Sequence, residues 1–248
     1  MKRLIKKILK SAGYKIVSFQ EPTSPRELNP DITDQEWETF ATVEPYTMTS
    51  LERVLTAVRA TAYISENHIP GDVVECGVWR GGSTMAIART LREHGDVSRR
   101  LYLYDTFDGM VQPTASDTDY RGTEAATVLS ELQQSGEKWC YASVEDVQAN
   151  LAKTQYPFER IVFVKGPVET TIPGTVPEAI ALLRLDTDWY ESTRHELLHL
   201  YPRLSPGGVL IVDDYGHWKG SRQAVDEYFG GRLFLNRIDY SGRLGIRP

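Results

Sequence analysis

Apolar residues fall along this chain at two spacings, and the alternation between them predicts its elements. From Pro70-Gly71 onward, short β-branched runs alternate with amphipathic stretches whose apolar positions recur every three or four residues. The runs at 73–76, 101–104, 161–164, 180–185 and 209–212 read as strands, with a weaker one at 232–238. The stretches at 83–94, 143–152 and 191–204 read as helices, and Leu204-Ser-Pro-Gly-Gly208 reads as the turn into the next strand. Upstream, Leu51, Val54, Leu55, Val58 and Ala62 share a helical face that Thr49 or Ser50 can cap. Strands separated by crossover helices predict an α/β fold with a doubly wound, mostly parallel sheet. In such a sheet a ligand sits outside the carboxyl ends of the strands, where the strand order reverses.

Residues 1–45 do not follow this alternation. Leu4, Ile5, Ile8 and Leu9 lie on one face of a short N-terminal helix whose other face carries Lys and Arg. Packing of that helix on its own domain or on a partner subunit is expected, because one short basic helix holds a membrane surface only weakly. Residues 18–47, rich in Pro, Asp, Glu and Thr, read as an irregular arm or lid. The expected organisation is an N-terminal helix and lid over 1–45, followed by one domain over 46–248.

Composition narrows the function. With 41% hydrophobic and 25% charged residues the chain has the makings of a sizeable core. A formal net charge of -6 argues against a nucleic-acid partner, since such binders gain affinity from Lys and Arg on phosphates. Two cysteines, Cys76 and Cys140, supply neither a disulfide framework nor a cysteine-based zinc site, which suits the cytoplasm. No apolar stretch approaches the ~20 residues that span a bilayer. A cytoplasmic homodimer acting on a small molecule is expected.

The chemistry-bearing residues follow the strands. After the first comes Gly77-Val-Trp-Arg-Gly-Gly82, whose glycines let backbone pass close to a ligand and whose Ser83 and Thr84 can cap the next helix. Glu75 beside this turn would repel a phosphate and suits a cationic ligand, such as the amino group of a methionine moiety. At the end of the second strand, Asp105 can accept hydrogen bonds from the vicinal hydroxyls of a ribose, whereas Asp108 before Gly109 is a turn residue. Two further strands end in paired acids, Asp186 with Asp188 and Asp213 with Asp214. Four carboxylates on neighbouring buried strands repel one another unless protons or a cation relieve them, and oxygen donors of this kind suit Mg²⁺ or Mn²⁺. Asp186 and Asp188 share a side if their strand continues, while Asp213 and Asp214 converge only if the chain turns between them.

In this order, Val74-Glu-Cys-Gly-Val-Trp-Arg-Gly-Gly-Ser83, Tyr104-Asp-Thr-Phe-Asp-Gly-Met110, Asp186-Thr-Asp-Trp-Tyr-Glu-Ser-Thr193 and Leu204-Ser-Pro-Gly-Gly-Val-Leu-Ile-Val-Asp-Asp-Tyr-Gly216 resemble the macrocin O-methyltransferase (TylF-type) family. The resemblance implies a Rossmann-like class I methyltransferase that uses S-adenosyl-L-methionine to methylate a sugar or aromatic hydroxyl of a natural product. It implies a metal held by Asp186, Asp213 and Asp214, with Asp188 as general base. It further implies cofactor contacts at Thr49 and Ser50, at Glu75, Gly77, Val78, Gly81 and Ser83, at Asp105, Thr106 and Phe107, and at Ser143.

Two other functions compete. A nicotinamide-dependent oxidoreductase would carry G-x-G-x-x-G where this chain has Gly-x-x-x-Gly-Gly, and it would want a Tyr-x-x-x-Lys pair in a suitable place. A non-catalytic cofactor- or sugar-binding module would need no base beside its acids, so Asp188 speaks against it. His195 and His199 lack the Glu of a zinc-binding H-E-x-x-H helix and read as surface residues. His217 is a second candidate base or substrate contact, and Trp189, Tyr190, Tyr215 and Trp218 can stack on an acceptor or pack beneath a lid. Residues 165–173 are expected on the adenine side.

Overall fold

The computed structural model describes Leu9, Ser11, Gly13, Tyr14 and residues 24–248, so the expected N-terminal helix lies outside the described residues apart from Leu9. Residues up to Trp37 and the segment Glu38–Pro248 form separate compact units. Seven strands make one sheet: β1 (Asp72–Cys76), β2 (Leu101–Asp105), β3 (Ile161–Lys165), β4 (Ile180–Leu185), β5 (Leu204–Val212), β6 (Asn236–Arg237) and β7 (Arg243–Ile246). Their order is β3-β2-β1-β4-β5-β7-β6, with β7 antiparallel to β5 and to β6 and the other pairs parallel. The order reverses between β1 and β4, which places the expected ligand crevice beside Cys76 and Leu185.

Successive strand residues feed opposite cores, the two-residue period of a sheet covered on both faces. Val73, Leu101, Leu103, Leu182, Val209 and Ile211 pack against the helices Leu51–Glu66, Gly82–Glu93 and Val144–Ala152. Val74, Tyr102, Tyr104, Leu183, Leu185, Leu210 and Val212 pack against the helices Tyr190–Leu200 and Lys219–Phe229. Among the described residues no helix is long and apolar enough to cross a membrane.

Four local expectations change. The arm expected to be irregular contains the helices Pro25–Leu28 and Asp34–Val43. Thr33 and Glu36 explain the second as a reciprocal capping box, for Thr33 Oγ1 accepts the Glu36 N–H and Glu36 Oε2 accepts the Thr33 N–H. Leu204-Ser-Pro-Gly-Gly208 belongs to β5: register runs from Ile180 opposite Leu204 to Leu182 opposite Val209, so the glycines absorb a bulge, with Gly207 at φ +78. The preceding helix stops at Leu200, and a 3-10 turn over Tyr201–Arg203 leads into the strand. Of the strand expected at 232–238 only Asn236–Arg237 pairs, and its partner is the unpredicted β7.

Candidate active site

The ends of β1, β2, β4 and β5 meet around one cleft of about 360 Å³. Gly77 makes the meeting close: at φ +81, a Cβ there would lie 1.9 Å from the Asp186 carbonyl oxygen, so only glycine lets the first turn press against the end of β4. Asp186 N–H donates to the Cys76 carbonyl at 2.8 Å, and Gly77 N–H to the Tyr104 carbonyl at 2.9 Å. Asp105 closes the turn, as its Oδ2 accepts the N–H groups of Val78 (2.7 Å) and Trp79 (3.1 Å) and its Oδ1 that of Phe107 (2.7 Å). Four non-glycine residues around the site, Trp79, Phe107, Cys140 and Asp188, hold left-handed backbone, with φ between +45 and +68. Such concentration of strain is characteristic of functional sites.

The acids divide into two sets. Asp186, Asp188 and Asp214 each offer a carboxylate oxygen within 4.8 Å of the others. Asp186 and Asp188 reach this cluster because the chain turns, β4 having ended at Leu185. Asp213 lines the same cleft but is held by arginines: Arg184 donates to its Oδ1 at 2.7 Å, and Arg53 and Thr49 donate to its Oδ2. The acids that stand closest together are thus Asp186, Asp188 and Asp214, with Asp213 of the expected trio engaged by the buried Arg184 and the half-buried Arg53. Arg184 also pairs with Asp186 and with Glu75, at 2.7 and 2.6 Å, and Arg53 pairs with Asp239 at 3.0 Å.

Two guanidiniums (Arg53, Arg184) thus face six carboxylates (Glu75, Asp186, Asp188, Asp213, Asp214, Asp239). Burial and neighbouring acids push Asp186 and Asp214 well above the usual carboxylate range, and burial pushes Asp188 up to about 7. The arginines beside Asp213 hold it below that range despite its burial. Among the described residues Asp214 Oδ2 has no hydrogen-bond partner, though it is buried. Clustered hard oxygen donors with one orphaned oxygen fit a divalent cation such as Mg²⁺ or Mn²⁺.

Of the residues expected to touch cofactor, Thr49, Gly77, Val78, Ser83 and Asp105 line the cleft. Others are turned to different work. Glu75, expected to face a cationic group, is 1% exposed, with its oxygens taken by Arg184 and by the Thr84 hydroxyl. Ser50 caps the helix Leu51–Glu66 and donates to Asp239 at 2.8 Å, and Ser143 caps Val144–Ala152. Gly81 begins the helix Gly82–Glu93, and Phe107 is buried against Phe163. Thr106 borders a small side pocket with Gly166 and Pro167, within the segment expected on the adenine side.

Sequence reasoning missed Arg53, Arg184 and the turn Asp239–Ser241. Arg184 had a signal: Glu75 and Arg184 interrupt two apolar runs, and in the sheet they pair side by side. Buried charges of opposite sign on neighbouring strands are expected to find one another. Ser241, 1% exposed, donates to the Asp213 carbonyl at 2.7 Å, which ties the C-terminal hairpin to the site. Also lining the cleft, His217 bonds Tyr240 at 3.1 Å, and Trp139 and Trp218 meet at a tilt while Trp189 packs edge to face with each.

With this geometry, similarity to known proteins becomes informative. Residues 9–242 match the Macrocin-O-methyltransferase (TylF) family. The chain is 34% identical over 234 residues to the 8-demethyl-8-(2,3-dimethoxy-alpha-L-rhamnosyl)-tetracenomycin-C 4'-O-methyltransferase of Streptomyces olivaceus, covering 92% of this chain and 83% of that one. It is 32% identical over 201 residues to the mycinamicin III 3''-O-methyltransferase of Micromonospora griseorubida, covering 81% and 77%. The solved structure of the O-methyltransferase NovP superposes with a TM-score of 0.71 at 32% identity, covering 82% of each chain. The chain belongs to the macrocin-O-methyltransferase (TylF) family of class I S-adenosylmethionine-dependent O-methyltransferases.

Proposed function

We propose that this enzyme methylates a hydroxyl on the sugar moiety of a small natural product, using S-adenosyl-L-methionine and a divalent cation, Mg²⁺ or Mn²⁺. The observation that carries the reading is the convergence of Asp186, Asp188 and Asp214 in a cleft shared with the glycine turn and Asp105. The sugar is supported by relatives named for a rhamnosyl tetracenomycin and for mycinamicin III. The same proposal has residues 1–45 as helix and lid and 46–248 as catalytic domain. It has a cytoplasmic homodimer with no nucleic-acid partner and at most weak membrane-surface contact.

When bound, the cofactor supplies an electrophilic sulfonium methyl and the cation, as a Lewis acid, lowers the proton affinity of the acceptor hydroxyl. Asp186 and Asp214 are assigned to the cation. For the third ligand the geometry favours Asp188, whereas the family resemblance implies Asp213. We assign Asp213, following the family resemblance, which leaves Asp188 free to take the hydroxyl proton. Asp188, held near neutrality, is assigned as the base that takes the hydroxyl proton. Aromatic side chains at the cleft, Trp139 and Trp218 among them, orient the acceptor and exclude water.

Asp105 is assigned to the ribose hydroxyls. Asp105→Ala is expected to weaken S-adenosylmethionine binding by about 2 kcal/mol or more, the usual worth of charge-assisted hydrogen bonds. Calorimetry checks this, and unchanged affinity in a folded variant rejects the assignment. Parallel titration with S-adenosylmethionine and NAD tests the wider reading: the first is expected to bind and the second not, and the reverse would favour an oxidoreductase.

A further inference from the structure

The helix Tyr190–Leu200 folds back on the strand end it follows and brings a single acid to it. Glu196 is fully buried, accepts the Thr187 hydroxyl at 2.9 Å through Oε1 and meets the Cys76 thiol, a weak donor, while among the described residues Oε2 has no hydrogen bond of ordinary geometry. On stability alone an apolar side chain would serve better there: Leu197 and Leu200 of the same helix are wholly buried, and a poorly paired buried oxygen is destabilising. Thr187 is the residue between Asp186 and Asp188. β4 ends at Leu185, and the Asp186 N–H still donates to the Cys76 carbonyl at 2.8 Å; beyond Asp186 the sheet gives way, and Asp188 adopts φ +68, which a non-glycine residue keeps only when its surroundings enforce it.

We propose that Glu196 is a positioning residue for methyl transfer: its hydrogen bond with Thr187 fixes the Asp186-Thr187-Asp188 segment so that both acids face the cleft. The proposal rests on the metal-assisted reaction described above. Glu196 touches neither substrate nor cation and acts through Thr187. Its energetic signature is a conflict between stability and rate, since the arrangement that places the acids leaves a buried polar atom poorly paired.

The test compares Glu196→Leu and Thr187→Val, which delete the hydrogen bond from either end, with Glu196→Gln and Thr187→Ser, which keep it. Melting temperature, kcat, KM for both substrates and Mn²⁺ affinity by calorimetry are read for each. Glu196→Leu is expected to melt at or above wild type, to lower kcat on the order of tenfold or more, and to weaken Mn²⁺ binding. KM for S-adenosylmethionine should not move, and Glu196→Gln should restore most of the rate. The double variant Glu196→Leu/Thr187→Val should be no worse than either single one, because both delete the same bond. Wild-type kcat and Mn²⁺ affinity in folded Glu196→Leu overturns the proposal, as does a joint loss of melting temperature and rate that Gln does not rescue. If wild type transfers no methyl group, the functional reading fails, and Mn²⁺ affinity alone decides: unequal binding by wild type and Glu196→Leu upholds the positioning role, while equal binding or none overturns it.

Discussion

Turnover is expected to cease in excess EDTA and to return when Mg²⁺ is restored. The expectation rests on charge: two guanidiniums cannot offset six carboxylates, and Asp186, Asp188 and Asp214 crowd one another even though Arg184 pairs with Asp186. Without a cation, burial and mutual repulsion hold protons on this cluster, which then cannot place an ionised oxygen beside the acceptor. The loss should be of rate and not of fold. Arg184 bridges Glu75, Asp186 and Asp213 whether or not a cation is present, so circular dichroism should be unchanged in chelator. Full activity in EDTA, with no metal in the purified protein, would leave only a metal-free base mechanism.

Asp188→Asn is expected to lower kcat by about 10²-fold or more, the scale of general base catalysis, in a folded protein with unchanged cofactor affinity. Asparagine keeps the shape of the side chain and cannot take the hydroxyl proton. Because Asp188 also stands in the acid cluster proposed to hold the cation, the decisive readout is the Mg²⁺ concentration for half-activation. A base leaves it in place, so that saturating Mg²⁺ does not rescue the rate. A ligand shifts it upward, as Asp186→Asn should. Wild-type kcat in Asp188→Asn would remove the base role and make His217, which lines the same cleft, the next residue to test.

The sheet was legible because its central strands are buried on both faces and so read as apolar runs, interrupted only by Glu75 in β1 and Arg184 in β4. Sequence reasoning missed the helix Lys219–Phe229 although it is strongly amphipathic: Ala224, Val225 and Phe229 recur on its buried face, and Gly220 and Ser221 on the same face do not read as apolar positions. Gly220 is required there because a Cβ would come within 2.0 Å of Asp117 Oδ1, a contact no local pattern encodes. Of the site, the acids at strand ends were legible, since position after a strand and residue type suffice to find them. Their division was not. Arg53 lies 160 residues from Asp213 and 186 from Asp239, and only the folded chain shows that it holds both. The capping box at Thr33 and the charged pair Glu75 and Arg184 were within reach of sequence reasoning and show what it should look for: reciprocal polar spacing before a helix, and opposite charges inside neighbouring apolar runs.

Methyl transfer itself is the most direct measurement. Purified enzyme is incubated with Mg²⁺, S-adenosylmethionine labelled in its methyl group, and a panel of glycosylated natural products, nucleotide sugars and phenols, and the products are read by mass and by the position of the label. The expected result is label on a sugar hydroxyl oxygen, lost in EDTA and lost in Asp188→Asn. Label on no acceptor in the panel despite tight cofactor binding, or label transferred equally well in EDTA and by Asp188→Asn, would contradict a metal-assisted sugar O-methyltransferase.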